Sequence, residues 1–159
     1  RRGFLEKGAE ELARSRRSGK PLCVLMADAD HFKRINDEHG HAAGDRALQT
    51  LGGLLRGALR TQDLVARWGG EEFILLLPET DLHGASLVAE SIRRRVGQAP
   101  LAIGELDLPL TLSCGLAEHR PDRNLEATIA HADAALYRAK AEGRDRIIAH
   151  RATPMPSPT

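Results

Sequence analysis

The stretch "DLVARWGGEEFILLLPET", Asp63 to Thr80, pairs two apolar runs across Gly69-Gly70. Apolar runs rich in β-formers on either side of two glycines predict a β-hairpin. Glycine tolerates positive φ and the close approach of another backbone or a phosphate, so the pair is expected to turn the chain. Glu71 and Glu72 follow at once. A turn has no need of two adjacent carboxylates, so the stretch raises the question of what they hold.

Upstream, "PLCVLMADAD" (21–30) is a continuous apolar run closed by Asp28 and Asp30. A short run of this kind between breakers reads as a strand buried on both faces, here Leu22 to Ala27. Before it, residues 4–17 have a helical pattern ended by Gly19-Lys20-Pro21. After it, "HFKRINDEHGHAAGD" (31–45) is polar and is expected to turn at Gly40 and Gly44. From Asp45 to Arg60 the spacing of Ala47, Leu48, Leu51, Leu54 and Leu55 predicts a core-facing helix.

Downstream of the hairpin, a helix is expected over Leu82–Val96, capped by Thr80 or Asp81. Residues 101–119 read as strands with breaks at Gly104 and Pro109. Leu125, Ile129, Ala132 and Leu136 form the stripe of a helix that Gly143 stops, and "RIIAH" (146–150) is a last short strand. This order predicts an α/β fold (an α+β sandwich): a central mixed sheet containing antiparallel pairs, flanked by helices. One domain is expected over 1–150, and "RATPMPSPT" (151–159), with three prolines in nine residues, reads as a disordered tail.

Composition narrows the function. The 159 residues are 42% hydrophobic and 28% charged with a formal net charge of +1, so nothing marks a binder of nucleic-acid polymers. Aromatics at 3% are too few for a base-stacking platform. Cys23 and Cys114 sit in apolar runs and read as buried thiols in a reducing, cytoplasmic setting. No apolar run reaches the roughly 18 residues of a membrane span, and no direct membrane contact is expected. The chain opens already in helical pattern, as a domain within a longer protein would.

Asp28 and Asp30 are two apart on an extended segment and so share a face. Their spacing alone fits equally a pair of acids facing water above the next turn and a magnesium site, since Mg²⁺ takes one or two carboxylates together with substrate phosphates. If the hairpin lies beside the first strand, Asp28 meets Glu71 or Glu72 at one end of the sheet.

"RWGGEEF" (67–73) resembles the signature of GGDEF-domain diguanylate cyclases in its GGEEF form. "DADHFKRINDEHGHAAGDRAL" (28–48), "TLSCGLA" (111–117) and "ADAALYRAKAEGR" (132–144) are similar to the family's first-strand, late-strand and last-helix segments, in order and spacing. The resemblance implies a fold like that of nucleotide cyclases and polymerase palms, with the signature on a hairpin. It implies condensation of two GTP into cyclic di-GMP and two pyrophosphates, each 3′-hydroxyl attacking the other α-phosphate. Mg²⁺ or Mn²⁺ is the implied cofactor, a homodimer the implied catalytic unit, and an upstream sensor domain the implied regulator. A catalytically weak domain sensing cyclic di-GMP or GTP is the alternative.

The resemblance carries metal binding to Asp28, the Ala29 carbonyl, Glu71 and Glu72, with Glu71 also the proposed acceptor of the 3′-hydroxyl proton. Asn36 and Asp45 fall at the guanine-selecting positions. A carboxylate can accept both guanine donors, N1–H and the 2-amino group, and adenine offers no such pair. For Asp45 the residue pattern fits a helix N-cap after Gly44 as readily, and for Asn36 a turn residue. Triphosphate contacts map to Lys33, Lys140 and Arg144, with the backbone N–H groups of His31 and Phe32. Lys140 and Arg144 also suit a helix end, where cations complement the dipole.

"RTQD", Arg60 to Asp63, matches the family's RxxD inhibitory site, five residues ahead of the glycine pair. There an arginine can fork onto guanine O6 and N7. The position aligned with a further inhibitory arginine is Ser91, with Arg93, Arg94 and Arg95 close by. The family's usual lead-in before the first arginines is absent from the sequence, and Trp68 is expected to pack beside the hairpin.

Overall fold

The computed structural model describes residues 1–151; the expected tail, apart from Arg151, lies outside the described residues. Seven strands and five helices follow in the order α1 (Arg2–Ser18), β1 (Leu22–Ala29), α2 (Phe32–His39), α3 (His41–Gly57), β2 (Leu64–Arg67), β3 (Glu72–Pro78), α4 (Leu82–Gln98), β4 (Leu101–Ile103), β5 (Leu106–Leu108), β6 (Leu112–Glu118), α5 (Leu125–Ala141) and β7 (Ile147–Ala149). The main sheet runs β2-β3-β1-β6-β7; β4 and β5 form a separate hairpin turned at Gly104. The β2–β3, β3–β1 and β1–β6 pairs are antiparallel, and β6–β7 is parallel. The mixed sheet flanked by helices is the architecture the element order predicts.

Every residue of β1 is buried, because helices cover both faces of the sheet. The period of two assigns its side chains. Cys23, Leu25, Ala27 and Ala29 point to the core shared with α3 and α4, and Leu22, Val24 and Met26 to the core containing Phe4 of α1 and Leu125, Ala132 and Leu136 of α5. Asp28 has the parity of Met26 and therefore faces α5. Gly115 on β6 allows α5 to lie directly on the sheet: a Cβ there would stand 2.1 Å from the Ala132 carbonyl oxygen.

Three expectations are corrected. The polar segment after β1 contains an eight-residue helix, α2, where only a turning stretch was expected. Gly40 does turn the chain, at φ 90°, but Gly44 lies inside α3, which begins at His41. Asp45 is therefore in the second turn's approach rather than at the N-cap, and Gly44 is there because a Cβ would fall 1.8 Å from Asn36 Oδ1 of α2. At the hairpin, neither Gly69 nor Gly70 takes a left-handed φ. The turn closes through Trp68 N–H donating to the Glu72 carbonyl at 2.8 Å. Of the two proposed caps for α4, Asp81 fills the role, accepting from Gly84 N–H at 2.8 Å. Cys23 and Cys114 are free, buried thiols as expected, and burial first, then the nearby acids Glu118 and Asp81, push Cys23 up to about 12.

Candidate active site

The C-terminal end of β1 is where the separated motifs meet. Asp28 stands opposite Glu72 across the β1–β3 ladder, and Ala29 N–H reaches toward the Glu71 carbonyl at 3.5 Å. On the other side Asp28 pairs with Ser113 of β6. Asp28 is 1% exposed. Its Oδ2 accepts from Lys140 Nζ of α5, and its Oδ1 has no partner within the protein. Burial pushes this carboxyl up to about 6; the bond and charge of Lys140 pull it down, and Glu71 and Glu72 push it up again.

A cavity of about 210 Å³ opens over this end of the sheet. Asp28, Ala29 and Glu71 form its acidic side. Lys33, Lys140 and Arg144 form its basic side, with His31 and Phe32 between them. Eight of the residues assigned from the resemblance thus line one space. Phe32 opens α2, so its N–H is among the four that helix geometry leaves without an intrahelical acceptor. His31 supports that entry in a left-handed conformation, φ 56°.

Arg34 also lines the cavity, a residue the sequence reading passed over. A signal was present. The first turn of α2 carries Lys33 and Arg34 and no acid. Cations at a helix N-terminus oppose the dipole, so their presence there points to an anion that offsets both.

Glu72 does not line this cavity. Its carboxylate folds back over the turn, 3.6 Å from where a Gly69 Cβ would be. Asn36 and Asp45 are not among the residues lining this cavity. Asn36 rests on Gly44 at the α2–α3 junction, and Asp45 lines a second cavity of about 310 Å³ between α3 and β2, with Arg56, Arg67 and Phe73.

Asp30, the other acid of the first-strand pair, is satisfied by the protein. Ser113 Oγ donates to it at 2.6 Å, Thr111 Oγ1 at 2.7 Å and Asp145 N–H at 3.0 Å. Its role is to tie the α5–β7 loop to β1. That loop needs the tie, because Arg144 (φ 63°) and Asp145 (φ 47°) are consecutive non-glycine residues in the left-handed region. Arg93 of α4 adds a second hold on Asp145 at 2.9 Å. The network sets Arg144 at the cavity edge.

Arg60 and Asp63 sit at the far end of β3. Asp63 accepts from Arg60 N–H at 2.8 Å and from Arg60 Nη2 at 3.1 Å, and the same Nη2 donates to the Pro78 carbonyl and Thr80 Oγ1, both at 2.8 Å. The pair is a clasp across the base of the hairpin. Leu22, at the opposite end of β1 from Asp28, pairs with Pro78. The clasp is therefore separated from the acidic cluster by the length of the strand. Ser91 is exposed on α4, and Arg93 is committed to Glu90 and Asp145.

A family model for the diguanylate cyclase GGDEF domain matches residues 1–146. The chain belongs to the GGDEF diguanylate cyclase family. It is 42% identical over 147 residues to diguanylate cyclase DgcP of Pseudomonas aeruginosa, covering 92% of this chain and 22% of that protein. It is 44% identical over 127 residues to diguanylate cyclase DgcM of Escherichia coli K12, covering 79% and 30%. The chain thus spans less than a third of these curated relatives. Among solved structures, the GGDEF domain of DgcB from Caulobacter crescentus, in complex with c-di-GMP, superposes with a TM-score of 0.90 at 31% identity, over 94% of this chain and 90% of that one. Diguanylate cyclase SiaD of Pseudomonas aeruginosa, in complex with its activator SiaC, gives 0.90 at 43% identity over 94% and 57%. In this GGDEF chain the signature reads Gly69-Gly70-Glu71-Glu72-Phe73.

Proposed function

We propose that residues 1–150 form a GGDEF catalytic domain that condenses two GTP into cyclic di-GMP and two pyrophosphates. The observation that carries this reading is the unpartnered, buried Oδ1 of Asp28 beside Glu71 and opposite three cations in one cavity. Burying a carboxylate oxygen without a partner is costly, and a protein retains such a group where a ligand satisfies it.

A divalent cation, Mg²⁺ or Mn²⁺, fits this position. Asp28 Oδ1, the Ala29 carbonyl and Glu71 supply hard oxygen donors. Among the described residues no three His, Cys, Asp or Glu side chains form a metal site by themselves, which suits a cation completed by substrate phosphates. When bound, the ion neutralises phosphate charge and acidifies the 3′-hydroxyl. Glu72, turned back over Gly69, is a weaker candidate ligand than Glu71.

The protein's own groups do the rest. Lys33, Lys140, Arg144 and the N-terminus of α2 hold the triphosphate, Arg34 adds charge at its edge, and Glu71 accepts the 3′-hydroxyl proton. Neither glycine of the turn is required by a left-handed backbone, and nothing lies within 4 Å of a Cβ built on Gly70. Their smallness then serves the close approach of substrate. Asn36 and Asp45 select guanine from the α2–α3 side.

Each protomer presents one GTP, so the reaction requires two copies face to face. Arg60 and Asp63 form the product-inhibition site, with Arg60 turning part of its fork from the clasp to guanine. The two buried thiols suit a reducing cytoplasm, and no described helix is long and apolar enough to cross a membrane. An upstream sensor domain would set the dimer geometry. The test is incubation with GTP and Mg²⁺, followed by chromatographic detection of cyclic di-GMP. Absence of product from a version fused to a dimerising coiled coil would overturn the assignment.

A further inference from the structure

At the end of the sheet away from Asp28, a cavity of about 440 Å³ lies between the 119–124 loop, α5 and the end of β7. It belongs to none of the motifs above. Arg120, Arg123 and Arg151 all line it, and so do His119, His131 and His150. Two acids stand near these three arginines, Glu118 in the lining itself and Asp122 beside Arg120. Glu118 spends Oε1 on the Leu82 N–H at 2.9 Å, and Asp122 approaches Arg120 only at 3.6 Å in an exposed pair.

Arg123 Nη1 and His131 Nε2 are 3.1 Å apart. Arginine can only donate, so this nitrogen of His131 accepts and the ring is neutral. The His131 ring stacks on His150 at 4.1 Å with an interplanar angle of 8°. Two parallel imidazoles at that distance repel when both carry charge, and an anion beside them offsets that repulsion.

His119 is 8% exposed, with Nδ1 2.7 Å from Thr128 Oγ1 and no partner at Nε2. The Thr128 hydroxyl is 3.5 Å from its other acceptor, the Asn124 carbonyl, so it is better placed to donate to Nδ1. The imidazole proton then sits on Nε2, as a buried donor with nothing to donate to. The N-terminus of α5 is not the missing partner's site, since Asn124 already caps it through Ala127 N–H at 2.9 Å.

We propose that this cavity binds a phosphate-bearing anion, held by Arg120, Arg123 and the His131–His150 pair, as a second ligand site at the opposite end of the sheet from the Gly69-Gly70 turn. Two or three guanidinium donors with adjacent imidazoles match the several acceptor oxygens of a phosphate group. The volume admits more than inorganic phosphate, so a diphosphate or an organic phosphate monoester fits. Burial, His150 and Arg123 hold His131 below its ordinary value, and burial and Arg16 of α1 do the same for His119. A bound dianion reverses the sign of that field.

The test is proton NMR of the histidine ring C–H resonances, assigned with His131→Gln and His150→Gln. Inorganic phosphate, pyrophosphate and GMP are titrated separately in metal-free buffer, in a Lys33→Ala, Lys140→Ala background that weakens the cavity over Asp28. Saturable shifts of His131 and His150, with a rise in their titration midpoints, are expected. Arg120→Ala with Arg123→Ala should weaken binding by about a hundredfold, roughly tenfold for each charge-assisted contact. Preference among the three probes separates a diphosphate from a nucleotide monophosphate. Linear, non-saturating shifts with all three, or saturable shifts that survive the double arginine variant, overturn the proposal. If that variant does not fold, Arg123→Lys provides the same comparison, because lysine keeps the charge and loses the fork.

Discussion

Lys140 and Asp28 lie 112 residues apart in the chain and form one ion pair, which uses one oxygen of Asp28 and leaves the other bare. The pair joins the last helix to the first strand at the point where the hairpin arrives. The two residues should respond differently to substitution. Lys140→Ala strips the buried carboxylate of its counter-charge and is expected to destabilise the fold by about 2 kcal/mol, below the full value for a buried pair because Lys140 is partly exposed. Asp28→Asn removes a costly buried charge, and should leave the melting temperature unchanged or raised by a few degrees while cyclic di-GMP formation falls at least about a hundredfold. Denaturation curves and product assays on both variants check this; a large loss of stability in Asp28→Asn would mean that the carboxylate is structural.

Arg60 serves two readings at once, and two measurements separate them. As a clasp it holds Asp63, the Pro78 carbonyl and Thr80, so Arg60→Ala should cost about 1–2 kcal/mol in urea unfolding. As the inhibitory arginine it should bind product, so calorimetry should show cyclic di-GMP affinity falling about tenfold or more. Equal affinity in wild type and variant would leave only the clasp.

Gly115 is the position where packing tolerates least. A Cβ there meets the Ala132 carbonyl and the Leu136 N–H nitrogen at 2.1 and 2.3 Å, and backbone cannot step aside as a flexible side chain would. Gly115→Ala must lift α5 from β6 and should cost at least about 3 kcal/mol. Since α5 carries Lys140, residual folded protein should also bind GTP more weakly. A midpoint shift under about 0.5 kcal/mol would show that the helix can ride outward freely.

The hairpin and β1 could be read directly because their apolar runs are continuous and bounded by breakers. Their register brings Asp28 opposite Glu72, as the separated acids suggest. Helix α2 was illegible for the opposite reason: Ile35 is its one buried residue, and a mostly polar octet carries little periodic signal. Gly44 looked like a breaker, and the Asn36 amide and Phe32 ring filling the space of its missing side chain explain a glycine inside a helix. Asp30 shares a face with Asp28, as the spacing required. Its true partners, Thr111, Ser113 and Asp145, come from 81 to 115 residues away, and nothing local announces them. The residues over Asp28 were reached through the family resemblance, since cations at a helix end look the same whether they hold a phosphate or the dipole.

His119 should give the protein a pH-dependent stability. Burial first, then Arg16, holds its imidazole below the ordinary 6.5, with Asp122 opposing. The unfolded chain therefore binds the proton more readily than the folded one. Stability attributable to His119 is fully present above the unfolded value and is lost as pH falls from there through the folded one. The slope cannot exceed about 1.4 kcal/mol per pH unit for one group. Melting temperatures measured from pH 7.5 downward should drop more steeply in wild type than in His119→Gln; parallel curves would remove His119 as the cause.

Trp68 offers an optical probe of the link between α1 and the signature. Its ring meets Phe4 edge-on at 5.8 Å, and the Arg1 guanidinium lies 4.1 Å from its centroid while donating to its carbonyl at 2.7 Å. It directly precedes Gly69-Gly70 and is the chain's single tryptophan. Phe4→Ala opens a space beneath it and should cost about 3 kcal/mol. The emission should shift to the red as water reaches the indole. Because the turn is closed by Trp68 N–H, a looser indole also loosens Glu71, so kcat should fall more than GTP affinity. A red shift with unchanged kcat would mean that α1 braces the core without bracing the catalytic turn.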